Sequence, residues 1–430
     1  MKTALLILER PAEWTALRQG LAQPGWQTIE ATSPTAALEL TGGRSPQVVF
    51  CEVFTRRFDG LSACRALRAS FPHARLVALC RRDCDCDRLK AAEAGADASF
   101  SSTMTPDEVS ALLADLPGDT APAGPAAVGR RGTRIRFWGV RGSVPTPGPT
   151  TLQYGGNTSC VEVRAAGEII VLDAGTGLRS LGRALETEFQ GRPLSLTLLI
   201  THTHWDHIHG LPYFLPIYKP TTRVRILGYE GARQGLASIL SAQMESPYFP
   251  IGLDKLPSTV VIEELRDLEF HVGPVRVQAR CANHPGLCMG YRLFTPDGSI
   301  AFFPDNETGF AHWTSPPHPG CVAAGEAQGS YEERLVEFLR GVDVLIMDAQ
   351  YTVAEYQAHT GWGHGCVDDV VALALKARVK KLFLFHHDPD HDDSQVGQIV
   401  EHARQIVAAQ GRSLIVEAAR EGLTVELKSA

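Results

Sequence analysis

The sequence predicts an α/β protein built from two domains. Three observations carry that expectation. Residues 1–117 alternate short apolar runs with helical stretches. "GDTAPAGPAAVGRRG", Gly118 to Gly132, is rich in Gly, Ala and Pro and has no apolar period. Strand-like runs and helices then recur in mixed order as far as residue 430. Such alternation argues for layered α/β bodies, and a stretch without periodicity reads as a linker. The expected domains are 1–117 and 134–430, joined by a linker at 118–133.

In the first domain the strand candidates are "TALLIL", "PQVVFCEV", "ARLVALC" and "ADASFS". Helical pieces such as "AEWTALRQGLA", "SACRALRAS" and "DRLKAAEAG" lie between them. This is the βα rhythm of a parallel sheet. In the second domain "TRIRFWGVRGSVP" leads into "SCVEVRAAGEIIVLDAG" and "LSLTLLI". Gly175 and Gly177 in "DAGTG" read as a tight turn rather than a phosphate cradle.

Composition narrows the function. The net charge of −7 gives no reason to expect nucleic-acid binding by bulk charge. No apolar run approaches the roughly 18 residues that a membrane span needs, and "MKTALLILER" reads as a first strand, so a cytoplasmic protein is expected. The ten cysteines are scattered, and neither Cys84 with Cys86 nor Cys281 with Cys288 has zinc-knuckle spacing. Free thiols are therefore expected.

The chemistry concentrates in "ITHTHWDHIHG". Four histidines and an aspartate occupy nine positions directly after the run "LSLTLLI". Imidazole and carboxylate suit borderline divalent metals. Alternation along an extended chain lets His202 and His204 point the same way, while Asp206 and His207 follow at a turn. Further candidates each end a strand-like run: His284 in "VRVQARCANHPG", Asp305 in "SIAFFPDNE" and His386 in "KKLFLFHHDPDHDD". Together they supply enough ligands for two ions. His209 reads as a supporting residue, and Asn157 as a turn residue. Tyr213, Phe214, Tyr248 and Phe249, beside the motif, read as core or dimer interface, with nucleobase stacking as the alternative.

The HxHxDH motif with its downstream His, Asp and His resembles the metallo-β-lactamase superfamily over residues 134–428. That resemblance implies a four-layer αββα fold. It also implies two divalent ions: zinc in the first place, manganese or iron in the second. By resemblance His202, His204 and His284 hold one ion, Asp206, His207 and His386 hold the other, and Asp305 bridges them. His386 is preferred to His387 because it directly follows "LFLF". Asp305 stands where the commonest β-lactamases have Cys, and His204 stands where diiron flavoproteins have Glu.

"LIMDAQYT" followed by "GWGHG", together with "FWGVRGSVP", "YGGNTSCVEV" and "VLDAGTGL", resembles the phosphodiesterase branch that includes ribonuclease Z and cyclic-nucleotide phosphodiesterase-like proteins. The resemblance implies that His364, oriented by Asp348, protonates the leaving oxygen. It also implies that Asp173 orients a ligand histidine. Gly365 departs from the pattern, which usually has Ser. The long basic arm of ribonuclease Z has no counterpart, which favours a small phosphodiester such as a cyclic nucleotide over nucleic acid. A homodimer is expected from family habit. The alternatives are a thioester or lactone hydrolase, or a signalling adaptor with a structural metal site.

"FDGLSACRALR", "LKAAEAGAD" and "TPDEVSALL" make residues 1–117 resemble a response-regulator receiver, which implies a flavodoxin-like fold. The family's phosphorylation chemistry is not matched. Glu52 stands at the phosphoacceptor position, the acidic pair is reduced to Glu9 beside Leu8, and Cys80 and Ser102 replace the Thr/Ser and Lys. A non-phosphorylatable module for regulation, dimerisation or docking of a signalling partner is expected.

Overall fold

A computed structural model describes residues 2–427 apart from 10, 42–45, 54, 56–59, 72–73, 81–90, 92–95, 115–131, 230–234 and 309–329. The chain divides into two compact units, Met1–Gly129 and Arg130–Ala430. Most of the expected linker, and the Cys84–Cys86 pair, lie outside the described residues. No described helix is long and apolar enough to cross a membrane.

The first unit carries strands β1 (Lys2–Ile7), β2 (Trp26–Ala31), β3 (Val48–Glu52), β4 (Arg75–Cys80) and β5 (Ala98–Ser101). They form one parallel sheet in the order β2-β1-β3-β4-β5, which is the flavodoxin-like order. Both faces are covered, which explains the unbroken apolar runs. Leu5, Ile7, Val49 and Cys51 pack with Cys64 and Leu67 of helix Gly60–Ser70 on one face. Ala4, Leu6, Val48 and Phe50 pack with Leu17 and Val109 on the other.

The second unit carries β6 (Arg134–Gly139), β7 (Cys160–Ala165), β8 (Glu168–Leu172), β9 (Leu194–Leu199), β10 (Thr222–Tyr229) and β11 (Thr259–Leu265). It continues with β12 (Glu269–Val272), β13 (Val275–Cys281), β14 (Met289–Thr295), β15 (Gly298–Phe303), β16 (Val344–Asp348), β17 (Lys381–Phe385) and β18 (Ile415–Ala418), and ends with β19 (Thr424–Glu426). Two seven-stranded sheets result, β11-β10-β9-β8-β7-β6-β19 and β12-β13-β14-β15-β16-β17-β18.

Alternation sorts the side chains of this unit into three apolar layers. Phe137, Val161, Ile170, Phe302, Phe383 and Phe385 fill the space between the sheets, with Phe137 and Phe383 ring centroids 5.0 Å apart. Truncating one of these phenylalanines would cost about 3–5 kcal/mol. Helix Gly177–Phe189 covers the outer face of the first sheet through Leu178, Leu181 and Leu185. Helices Tyr331–Leu339, Val367–Lys376 and Asp393–Ala409 cover the second sheet. The layers are therefore α, β, β and α, as the resemblance implies.

Cys51, Cys64, Cys80, Cys160, Cys288 and Cys366 are buried free thiols. Cys281 is disulfide-bonded, a departure from the expectation of free thiols throughout.

In the first unit Glu52 is wholly buried at the end of β3, and its Oε2 accepts the backbone N–H of Glu9 at 2.9 Å. A carboxylate sealed in this way is a poor phosphoryl acceptor. Incubation of the full chain with radiolabelled acetyl phosphate and Mg²⁺ is expected to leave no stable label. Label that disappears on Glu52→Ala would contradict this.

Candidate metal centre

The strands position the site. Asp173 follows β8, the histidine-rich segment follows β9, and His284 lies just beyond β13. Asp305 follows β15, Asp348 ends β16, and His386 follows β17. Every one of these positions is at a strand's carboxyl end, where α/β sheets place their ligands. Beyond β9 the chain makes a single helical turn, Trp205–Ile208, which carries Asp206 and His207 inward.

The structure gathers the sequence-predicted residues into two adjoining groups. The candidate ligand atoms of His202, His204, His284 and Asp305 lie within 4.8 Å of one another, and so do those of Asp206, His207 and His386. Asp305 joins them. Its Oδ1 stands 3.1 Å from His207 Nε2 and 3.3 Å from His386 Nε2. Its Oδ2 stands 3.7 Å from Nε2 of both His202 and His284. Asp206 Oδ2 lies 3.1 Å from His207 Nε2 and from His386 Nε2, and accepts the Ser143 N–H at 2.8 Å.

The outer ring nitrogens fix the tautomers. His207 Nδ1–H donates to Asp173 Oδ2 at 2.7 Å, and His386 Nδ1–H to Gln350 Oε1 at 3.0 Å. His284 Nδ1–H donates to the Gly363 carbonyl at 2.9 Å. Thr201 donates its hydroxyl proton to Asp173 and stands 3.1 Å from His202 Nδ1. All four rings therefore turn Nε2 toward the centre. Asp173 holds His207 directly and His202 through Thr201.

The donor set fits divalent cations. His202 Nε2, His207 Nε2 and Asp305 Oδ1 are buried without a hydrogen-bond partner. His204 Nδ1 faces His284 Nε2 at 3.2 Å, an approach that two ring lone pairs make only around a proton or a cation. Burial holds the His202 and His204 imidazoles below their usual range and pushes His284 down to about 4. Neutral imidazoles are the form that coordinates. Burial works against ionising Asp305 as well, but His386, His207 and His202 keep its carboxyl well below the usual range.

The ambiguity between the adjacent histidines is resolved by backbone conformation. His386 has φ 59°, a left-handed turn that sends its ring to the centre. His387 points away, its Nε2 2.9 Å from the Ala419 carbonyl. Asp173 also adopts φ 60°. Such backbone costs about 1–3 kcal/mol per residue and clusters at functional sites.

His364 stands beside the centre, its Nδ1 2.9 Å from Asp348 Oδ2 and 3.9 Å from Asp305 Oδ2. Burial opposes its protonation, yet Asp348 and Asp305 lift its pKa to about 9. Bound cations would act in the opposite direction. Gly365 has no room for the usual Ser: a Cβ there would lie 2.6 Å from the Asp348 carbonyl oxygen.

Other expectations divide. Asn157 is structural, donating to Glu421 through both its backbone and its side chain. A Cβ at Gly175 would meet the Asp206 carbonyl at 2.2 Å, so that glycine serves close packing. Phe214 is core, whereas Tyr248 is exposed. Tyr213 and Phe249 line a groove of about 310 Å³ with Arg179, Arg183 and Tyr218. His209 lies outside both ligand groups, between Trp205 and Tyr213, with ring centroids 6.3 Å from each.

Sequence reasoning missed Thr201, Gln350, Ser143 and Gly363. Only Gln350 carried a signal, lying two residues after Asp348 at the end of an apolar run.

A family model described as a beta-lactamase superfamily domain matches residues 169–387, about half of the chain. The chain belongs to the metallo-β-lactamase superfamily. Curated relatives include ribonuclease Z of Bacillus thuringiensis, 23% identical over 303 residues, covering 63% of this chain and 93% of the relative. Among solved structures, the metallo-β-lactamase fold protein YhfI of Bacillus subtilis is 16% identical, covers 69% of this chain and 99% of its own, and has a TM-score of 0.48. A response regulator of Thermotoga maritima is 19% identical, covers 27% of this chain and 97% of its own, and has a TM-score of 0.25.

If Asp173 orients two histidines of this superfamily site, Asp173→Asn should weaken metal affinity by about 10- to 100-fold. Competition with a chromogenic chelator would measure it. Unchanged affinity would show that His202 and His207 need no such support.

Proposed function

We propose that this metal-dependent hydrolase cleaves a small phosphodiester, such as a cyclic nucleotide. The observation that carries the reading is the His364–Asp348 pair, 2.9 Å apart at the edge of the two ligand groups. An alkoxide leaving from phosphorus needs a proton, and a buried imidazole with a carboxylate on its far nitrogen is built to deliver one. A thiolate leaves readily without help, so the pair favours a phosphoester over a thioester.

In this reading His202, His204 and His284 would hold one cation, Asp206, His207 and His386 would hold the second, and Asp305 would serve both groups. Two such ions, zinc foremost and manganese or iron as alternatives, would supply a water nucleophile near neutral pH and neutralise phosphoryl oxygens. The chain's own residues do the rest. Asp173 and Gln350 keep ring nitrogens turned inward. Asp348 accepts from His364 Nδ1, which leaves Nε2 for the leaving oxygen. Tyr213 and Phe249, edge to face with centroids 5.8 Å apart, line with Arg179 and Arg183 a groove whose rings and cations would suit a base and a phosphate. Nucleic acid, the substrate that the name ribonuclease Z implies for that relative, is the larger alternative that the same chemistry would serve.

The receiver-like unit is proposed to regulate, dimerise or dock a signalling partner without phosphorylation, within a cytoplasmic homodimer.

The protein loaded with Mn²⁺ or Zn²⁺ should hydrolyse bis(p-nitrophenyl) phosphate. A screen of cyclic mono- and dinucleotides, linear dinucleotides and precursor transfer RNA should then identify a substrate. On a substrate with an alkoxide leaving group, His364→Ala should lose about 10²- to 10⁴-fold in kcat with metal content unchanged. Turnover confined to thioesters or lactones would overturn the reading. An unaltered rate in His364→Ala would remove the proton-donor role.

A further inference from the structure

In the second unit the mechanism above leaves the wholly buried carboxylate of Glu307 without a task. Glu307 follows Asp305 by two residues and has no solvent exposure. Its Oε1 accepts the Gly361 N–H at 2.8 Å and the Tyr356 hydroxyl at 2.7 Å. Its Oε2 accepts the Gly363 N–H at 2.9 Å. One carboxylate thus pins both ends of the tripeptide immediately preceding His364.

That tripeptide cannot hold its shape by itself. Gly361 and Gly363 have φ 89° and 94°, conformations that only glycine enters freely. A Cβ at Gly363 would meet His284 Nδ1 at 2.3 Å. Two glycines give close approach at the expense of stiffness, and charge-assisted hydrogen bonds from a buried acid restore it. The loop also serves the metal side, because the Gly363 carbonyl accepts from His284 Nδ1.

The neighbouring residues tie into the same framework. The Asn306 N–H donates to Asp348 Oδ2 at 3.2 Å, and Asn306 Oδ1 accepts the Asn283 N–H at 2.9 Å. The segment Asp305–Asn306–Glu307 therefore reaches the ligand cluster, the acid behind His364 and the loop in front of it.

We propose that Glu307 is a positioning residue: through the Gly361 and Gly363 amides it sets the imidazole of His364 where it can protonate the leaving oxygen. The proposal rests on the phosphodiesterase reading and adds to it. Glu307 touches no substrate, and its effect travels through backbone. Gln at this position offers one acceptor where two amides and a hydroxyl need satisfying, and its NH₂ would face an N–H donor.

The test compares leaving groups on the metal-loaded full chain. Thymidine 5′-(p-nitrophenyl phosphate) releases a phenolate that needs little protonation, whereas dithymidine monophosphate releases an alkoxide that needs it. Glu307→Gln should lose about 10²-fold in kcat on the alkoxide substrate, the size of effect expected for a misplaced catalytic group. On the nitrophenyl substrate it should lose only a small fraction of that, with metal content unchanged by elemental analysis.

Tyr356→Phe removes the hydroxyl's hydrogen bonds to Glu307 Oε1 and to the Thr308 carbonyl and keeps the carboxylate. It should shift the same ratio by about 2- to 10-fold, and it supplies the answer should Glu307→Gln fail to fold. Equal losses on both substrates would assign Glu307 a merely structural part and overturn the proposal, as would no loss on either. A wild-type protein that cleaves neither substrate would strike the phosphodiesterase reading itself.

Discussion

Five imidazoles and two carboxylates meet at the carboxyl ends of two sheets, most of them away from solvent. Nothing in the apolar layers around them can compensate that concentration of lone pairs, and unsatisfied polar groups in such surroundings are costly. Asp305 is the group on which the arrangement turns, since its two oxygens face different sets of rings. The fold meets the constraint by holding four of the five rings from behind. A carboxylate, an amide and a backbone carbonyl take the outer nitrogen of His207, His386 and His284 in turn. The rigidity of the centre is thus borrowed from hydrogen bonds outside it.

The sheets make this possible by ending together. The histidine-rich segment and residues far from it in the chain converge because β8, β9, β13, β15, β16 and β17 all stop at one edge of the two-sheet body. Side chains between the sheets, such as Phe137, Phe302 and Phe385, fix the spacing of that edge. Packing and chemistry are coupled there: Phe385 fills the inter-sheet layer, and the next residue is His386.

Much of this was legible in the sequence. Strand-like runs with a His or Asp at or shortly after their end marked the residues that the structure brings together, because such a position carries both an apolar run and a polar stop. The βα rhythm of residues 1–117 gave the parallel sheet for the same reason of periodicity. The supporting residues were harder to read. Thr201, Gly363 and Glu307 act through backbone amides or through one neighbour, and such contacts leave no periodic mark. The choice of His386 over His387 was legible from its place directly after "LFLF", whereas the left-handed turn that carries it out, a single dihedral angle, was not.

That dihedral has a consequence for evolvability. At φ 59° position 386 admits His, Asn and Asp with modest strain, whereas β-branched residues there are conformational outliers. Cysteine is not among the residues enriched in this conformation, so a drift toward softer metals by that route gains nothing from the backbone. Within the second ligand group, hard oxygen donors are therefore the more accessible exchange, and the route to a different metal diet runs through aspartate.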